Sequence, residues 1–129
     1  MGKHETSYPR SPRDFYPTPA WVVDCLAKHL ALSGMRVWEP ACGDGRMART
    51  LRKHGACVIA SDLYSSSRII DFLGNHPTPL CDAIITNPPF SLAMEFVQRA
   101  FTYNSVLNPK GLLKSMLQLE PISSLRCAK

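Results

Sequence analysis

Met35-Arg36-Val37-Trp38-Glu39-Pro40-Ala41-Cys42-Gly43-Asp44-Gly45 decides the fold. A short apolar run ends in an acid and then a glycine-rich turn. Arg46 to His54 follows, with Met47, Ala48 and Leu51 at helical spacing, and Gly55 closes it. Cys57-Val58-Ile59-Ala60-Ser61 is the next apolar run, and it ends at Asp62. Strand, tight turn, helix, strand is a βαβ unit. It predicts a parallel sheet with a right-handed crossover.

Upstream, Val22, Val23, Leu26, Ala27 and Leu30 recur at helical spacing, and Gly34 marks the stop. Thr18 is expected as N-cap and Pro19 as the first helical residue. The alternative use of Thr18 is a hydroxyl at a helix N-terminus facing a ligand carboxylate. Residues 1–13 are polar and carry three cations against one acid, so they read as a flexible basic arm before a single domain at 14–129.

Downstream, Arg68-Ile69-Ile70 reads as a stub of strand or the end of a short helix. Ala83-Ile84-Ile85-Thr86 is nearly all apolar, as a strand buried on both faces should be. Asn87-Pro88-Pro89-Phe90 then forms a tight polar turn, because two prolines cannot continue a sheet. Ser91 is expected to cap a helix whose buried stripe is Ala93, Phe96, Val97, Ala100 and Phe101. Leu112 to Leu119 fits a last strand, and a helix fits it comparably.

Composition sets the outer limits. The 129 residues suit one domain, and 45% hydrophobic content with 19% charge supplies a core. No run reaches the ~18 apolar residues of a membrane span, and no apolar leader follows Met1. Five cysteines without a CxxC pair indicate neither a disulfide framework nor a metal site, so a reducing, cytoplasmic setting is expected. The net charge of +5 is concentrated at the two ends. Such ends suit nucleic-acid phosphates, or they are solvated tails. Arg46, Arg49, Arg52 and Lys53 divide the same way, between a solvated helix face and a nucleic-acid patch.

Three constellations carry chemistry. Gly43-Asp44-Gly45-Arg46-Met47-Ala48 satisfies the G-x-G-x-x-A turn, with Asp62 placed to accept ribose hydroxyls. Glu39 sits before those glycines, where a carboxylate opposes a pyrophosphate and suits a cation. The ammonium and sulfonium of S-adenosylmethionine answer that description better than a nicotinamide dinucleotide does. Asp71 and Phe72 offer an acceptor and a ring for an adenine, or else a surface acid and a core aromatic. Asn87 and the Pro88 carbonyl offer two acceptors for a planar amine, with Pro89 rigid beside them and Phe90 as a stacking face.

Together, Glu39-Pro40-Ala41-Cys42-Gly43-Asp44-Gly45, Asp62, Asp71-Phe72-Leu73 and Asn87-Pro88-Pro89-Phe90 resemble the ordered motifs of S-adenosylmethionine-dependent DNA adenine-N6 methyltransferases. Small phage and prophage members are the nearest likeness, and they often open with a phrase like Asp14-Phe15-Tyr16-Pro17-Thr18-Pro19-Ala20-Trp21. The resemblance spans roughly 14–103. It implies a Rossmann-like class I methyltransferase fold in the α/β class, with about five parallel strands and helices on both faces. It also implies that the family's C-terminal hairpin strands are missing here. By that resemblance Thr18 and Pro19 lie near the cofactor's methionine carboxylate, and Glu39, Pro40, Ala41, Gly43 and Gly45 line its methionine part. Asp62 binds the ribose, and Asp71 and Phe72 the cofactor adenine. Asn87, Pro88, Pro89 and Phe90 hold the target base. The implied partner is DNA, with no metal and no membrane. Transfer to RNA or to a protein glutamine, and a cofactor-binding remnant without catalysis, stand as alternatives.

Overall fold

The computed structural model describes residues 18–64, 68–107 and 114–117. The basic arm at 1–13, the Asp14 to Pro17 phrase and the chain after Leu117 lie outside them. The elements are α1 (Ala20–Ala27), β1 (Arg36–Glu39), α2 (Arg46–Lys53), β2 (Cys57–Ala60), β3 (Ala83–Thr86), a 3-10 turn (Phe90–Leu92), α3 (Ala93–Leu107) and β4 (Lys114–Leu117). The order is α/β, as the βαβ reading requires.

The sheet is small, open and parallel, in the order β2-β1-β3-β4. The 68–70 stub is a single parallel bridge, Asp62 to Ile69. About five strands were expected; the described residues hold four and that bridge. β4 resolves the ambiguity at 114–117 in favour of strand, paired along Ala83–Thr86. The chain leaves β1 for β2 on one side and returns to β3 on the other. The carboxyl ends of β1 and β3 therefore flank the point where strand order reverses, which is where open parallel sheets leave a crevice.

Alternation along the strands splits the core in two. Val37, Ala83 and Ile85 pack with Val23 of α1 and with Met47 and Leu51 of α2. Trp38 and Ile84 pack on the other side with Phe96, Ala100 and Tyr103 of α3. Helices thus cover both faces. Trp38, Leu51 and Ile84 are fully buried, and burial of a large apolar side chain stabilises by roughly 1.5–3 kcal/mol each. The Trp38 indole also donates to Ser61 Oγ at 2.9 Å, so its buried N–H is satisfied.

Expectations about two helices are corrected. α1 begins at Ala20 after Pro19, and no side chain caps it; Thr18 is engaged elsewhere. α3 buries Phe96, Ala100 and Tyr103, while Phe101 is 67% exposed. A 3-10 turn from Phe90 to Leu92 precedes this helix. It winds about three residues per turn instead of 3.6. Ser91 lies inside that turn, two residues before α3 begins. Cys42, Cys57 and Cys81 are free thiols. Cys25 takes part in a disulfide, which the cysteine spacing did not suggest.

Candidate functional site at the ends of β1 and β3

The glycine turn is built from its own acids. Glu39 Oε1 accepts the Ala41 N–H at 2.9 Å. Asp62 Oδ2 accepts the Gly43 N–H at 2.9 Å, and Asp44 Oδ1 the Arg46 N–H at 3.0 Å. Cys42 N–H goes to Ser61 O and Gly45 N–H to Cys42 O. Gly43 and Gly45 have φ of 53° and 84°, a region that favours glycine. The sequence pattern thus produces the expected tight turn. A pyrophosphate cradle needs such N–H groups turned outward to an anion. Here three carboxylates occupy them. The turn is negatively lined and suits a cation.

Glu39 is the centre of this lining. It is 2% exposed, and Thr86 at the end of β3 donates to its Oε1 at 2.5 Å. Among the described residues Oε2 has no hydrogen-bond partner. Burial pushes the carboxyl from 4.5 up to about 7; the bonds from Thr86 and Ala41 pull against that, and the charge of Asp62 adds to it. An ionised carboxylate with an open oxygen in a buried position calls for a positive or donating ligand. Thr86 is a site residue that the sequence reading missed. Its signal was a lone hydroxyl ending an otherwise apolar strand.

Asp62 ends the β2 run as expected. Its Oδ1 accepts the Tyr64 N–H at 2.9 Å, so each oxygen holds a backbone amide and each can accept a further bond. Asp71 is exposed and closes its own turn, accepting the Leu73 N–H at 3.1 Å. Phe72 belongs to the core cluster under α3. It is 2% exposed, stacks on Phe96 with centroids 4.7 Å apart, and meets Trp38 edge-on at 5.1 Å. These contacts favour the core-aromatic reading of Phe72 over the adenine-stacking one. Pro40 is buried behind the turn and Ala41 is half-buried.

Across the crevice, Asn87 follows β3 directly. Its Nδ2 donates to Thr18 Oγ1 at 3.2 Å, which joins residues 69 apart in sequence. Pro88 is buried and Pro89 half-buried, and Phe90 is 45% exposed at the start of the 3-10 turn. Glu39, Thr86, Asn87, Thr18 and the glycine turn therefore meet at one place. On α2, Arg46 pairs with Asp44, Arg49 donates to Asp44 O and Arg52 to Val58 O. Those contacts favour the solvated-face reading.

Among the described residues no cluster of His, Cys, Asp and Glu could hold a metal ion, and no helix is long and apolar enough to cross a membrane. Comparison with family models, with curated proteins and with solved structures finds no match for this chain.

Proposed function

We propose that this protein transfers a methyl group from S-adenosylmethionine to the exocyclic N6 amine of adenine in DNA. The observation that carries the reading is the meeting, at the reversal point of the sheet, of two unlike acceptor sets. One is buried Glu39 with an open carboxylate oxygen, and the other is the Asn87-Pro88-Pro89-Phe90 turn.

The residues present fit the cofactor. Glu39 Oε2 would take its ammonium, Gly43 and Gly45 allow close approach of the backbone, and Asp62 would take ribose hydroxyls. When bound, S-adenosylmethionine supplies an electrophilic methyl group on a sulfonium that leaves as a neutral thioether. Asn87 Oδ1 and the Pro88 carbonyl would each accept one N–H of the target amine. An adenine amine is a weak nucleophile because its lone pair is delocalised into the ring. Two acceptors below it favour a pyramidal nitrogen with the lone pair directed outward, so positioning does most of the work. The methylated nitrogen is positively charged and acidic, and it returns its proton to water without a strong base. Half-exposed Phe90 is suited to stack on a base turned out of a duplex.

The test is incorporation of tritium from labelled cofactor into unmethylated DNA, with RNA and a glutamine-bearing protein as parallel acceptors. Label in DNA, found by mass as N6-methyladenine, is the expected outcome. Asn87→Ala should lower the rate by at least about 100-fold, since it removes one acceptor and the alignment it gives. Undiminished incorporation by that variant would refute the amine clamp.

A further inference from the structure

Thr18 does not cap α1. It is 5% exposed, and its hydroxyl lies 3.2 Å from Asn87 Nδ2. The residue cannot drift from that position. Pro19 fixes the chain before α1, its carbonyl accepts the Val22 N–H, and Val23 one turn on is packed against Ala83 and Ile85 of β3. The strand that delivers Asn87 and the helix that delivers Thr18 share one core.

We propose that Thr18 is a positioning residue for Asn87: by accepting from Nδ2 it turns the carboxamide so that Oδ1 faces the crevice. This rests on the methyl-transfer reading of that turn. A carboxamide has an accepting end and a donating end, and its terminal torsion is broad and roughly two-fold. An amine N–H is held only by the accepting end; the donating end would repel it. The bond from Nδ2 to Thr18 Oγ1 holds the carboxamide with its accepting end turned away from Thr18 before the substrate arrives, which removes an ordering cost from the reaction. The arrangement makes Thr18 part of the target half of the site, although it stands 69 residues from Asn87 in sequence.

The experiment uses the full chain with Thr18→Val, which keeps the shape and removes the hydroxyl, and Thr18→Ser, which keeps the hydroxyl. Three quantities are read: cofactor Kd by calorimetry, kcat with DNA, and the side-chain ¹⁵N–¹H signals of Asn87 by NMR. Thr18→Val is expected to lower kcat about 10-fold, the effect of losing one hydrogen bond that orders the site. Its cofactor Kd should match the parent, and the Asn87 amide protons should exchange faster and shift. Thr18→Ser should restore all of these toward the parent. Equal losses in cofactor affinity and kcat would overturn the proposal and assign Thr18 to the cofactor. So would an Asn87 signal and a kcat that Thr18→Val leaves unchanged. If the parent methylates no acceptor, the methyl-transfer reading fails by itself, while the NMR comparison still decides whether Thr18 orients Asn87. If Thr18→Val does not fold, Thr18→Ala is read in its place.

Discussion

A carboxyl group buried at the end of a parallel strand has a cost that depends on pH. Folding raises the Glu39 carboxyl from 4.5 to about 7, chiefly through burial. The folded state therefore holds that proton over a range in which the unfolded chain has released it. The contribution of Glu39 to stability in the ligand-free protein is then greatest below 4.5, falls as pH rises through that interval, and levels off above about 7. The difference between the two values corresponds to about 3 kcal/mol. Urea unfolding of the parent and Glu39→Gln between about pH 5 and pH 8 should show this as a gap that moves in the variant's favour with rising pH. A constant gap would mean that Glu39 is not desolvated as the structure has it. A cationic ligand reverses the sign of the effect, because it stabilises the ionised form. S-Adenosylmethionine affinity should therefore strengthen with pH through about 7 in the parent and stay flat in Glu39→Gln. Calorimetry at several pH values reads it directly.

At the scale of elements, the glycine turn ties sheet to helix. Gly45 precedes α2 with φ of 84°, and a Cβ there would sit 3.1 Å from Arg49 Nη1, the atom that donates to Asp44 O. The guanidinium can swing aside, but the left-handed backbone cannot relax cheaply. Gly45→Ala should cost about 1–2 kcal/mol in urea unfolding, with helix content by circular dichroism preserved. A loss near zero would show that the turn shifts to accommodate the side chain. This turn was legible in the sequence because its pattern is local, an apolar run, an acid, two glycines and an amphipathic helix, although Ser61 and Asp62 also hold it. The same holds for β3, whose apolar residues admit one reading. What was not legible depended on distant partners or on helical phase. Thr18 looked like a cap because its partner is 69 residues away. Phe72 stayed divided between a stacking ring and a core aromatic because nothing local reveals its contacts with Trp38 and Phe96. Tyr103 lies in the core in place of Phe101 because residues 96, 100 and 103 form an equally regular helical stripe, and which stripe is buried depends on the sheet that α3 packs against.

Across the whole molecule the two ends of the sheet do different work. All four strands run parallel, so one end collects their carboxyl termini with Glu39, Thr86 and Asn87, and the other collects their starts. At the starting end Arg36 forms a two-pronged pair with Asp82, at 2.8 Å and 3.2 Å, and the guanidinium holds the Asp82 carboxyl below its usual range. Both side chains are about half exposed, 49% and 42%, so water screens the pair. Ile84, between the ends, is fully buried under α3. Arg36→Ala should therefore produce only a slight fall in the urea midpoint and no change in cofactor affinity, because backbone bonds already join Arg36 and Asp82. Ile84→Ala leaves a cavity in the core that supports α3 and should cost about 2–5 kcal/mol. Its effect on cofactor affinity should stay small at temperatures where the variant remains folded, since β1 and β3 still bring Glu39 and Asn87 together. The paired measurement is urea unfolding and cofactor titration on both variants. A large affinity loss in Arg36→Ala would mean that the two ends are coupled through β1 and β3, and that the sheet does not separate stability from site geometry.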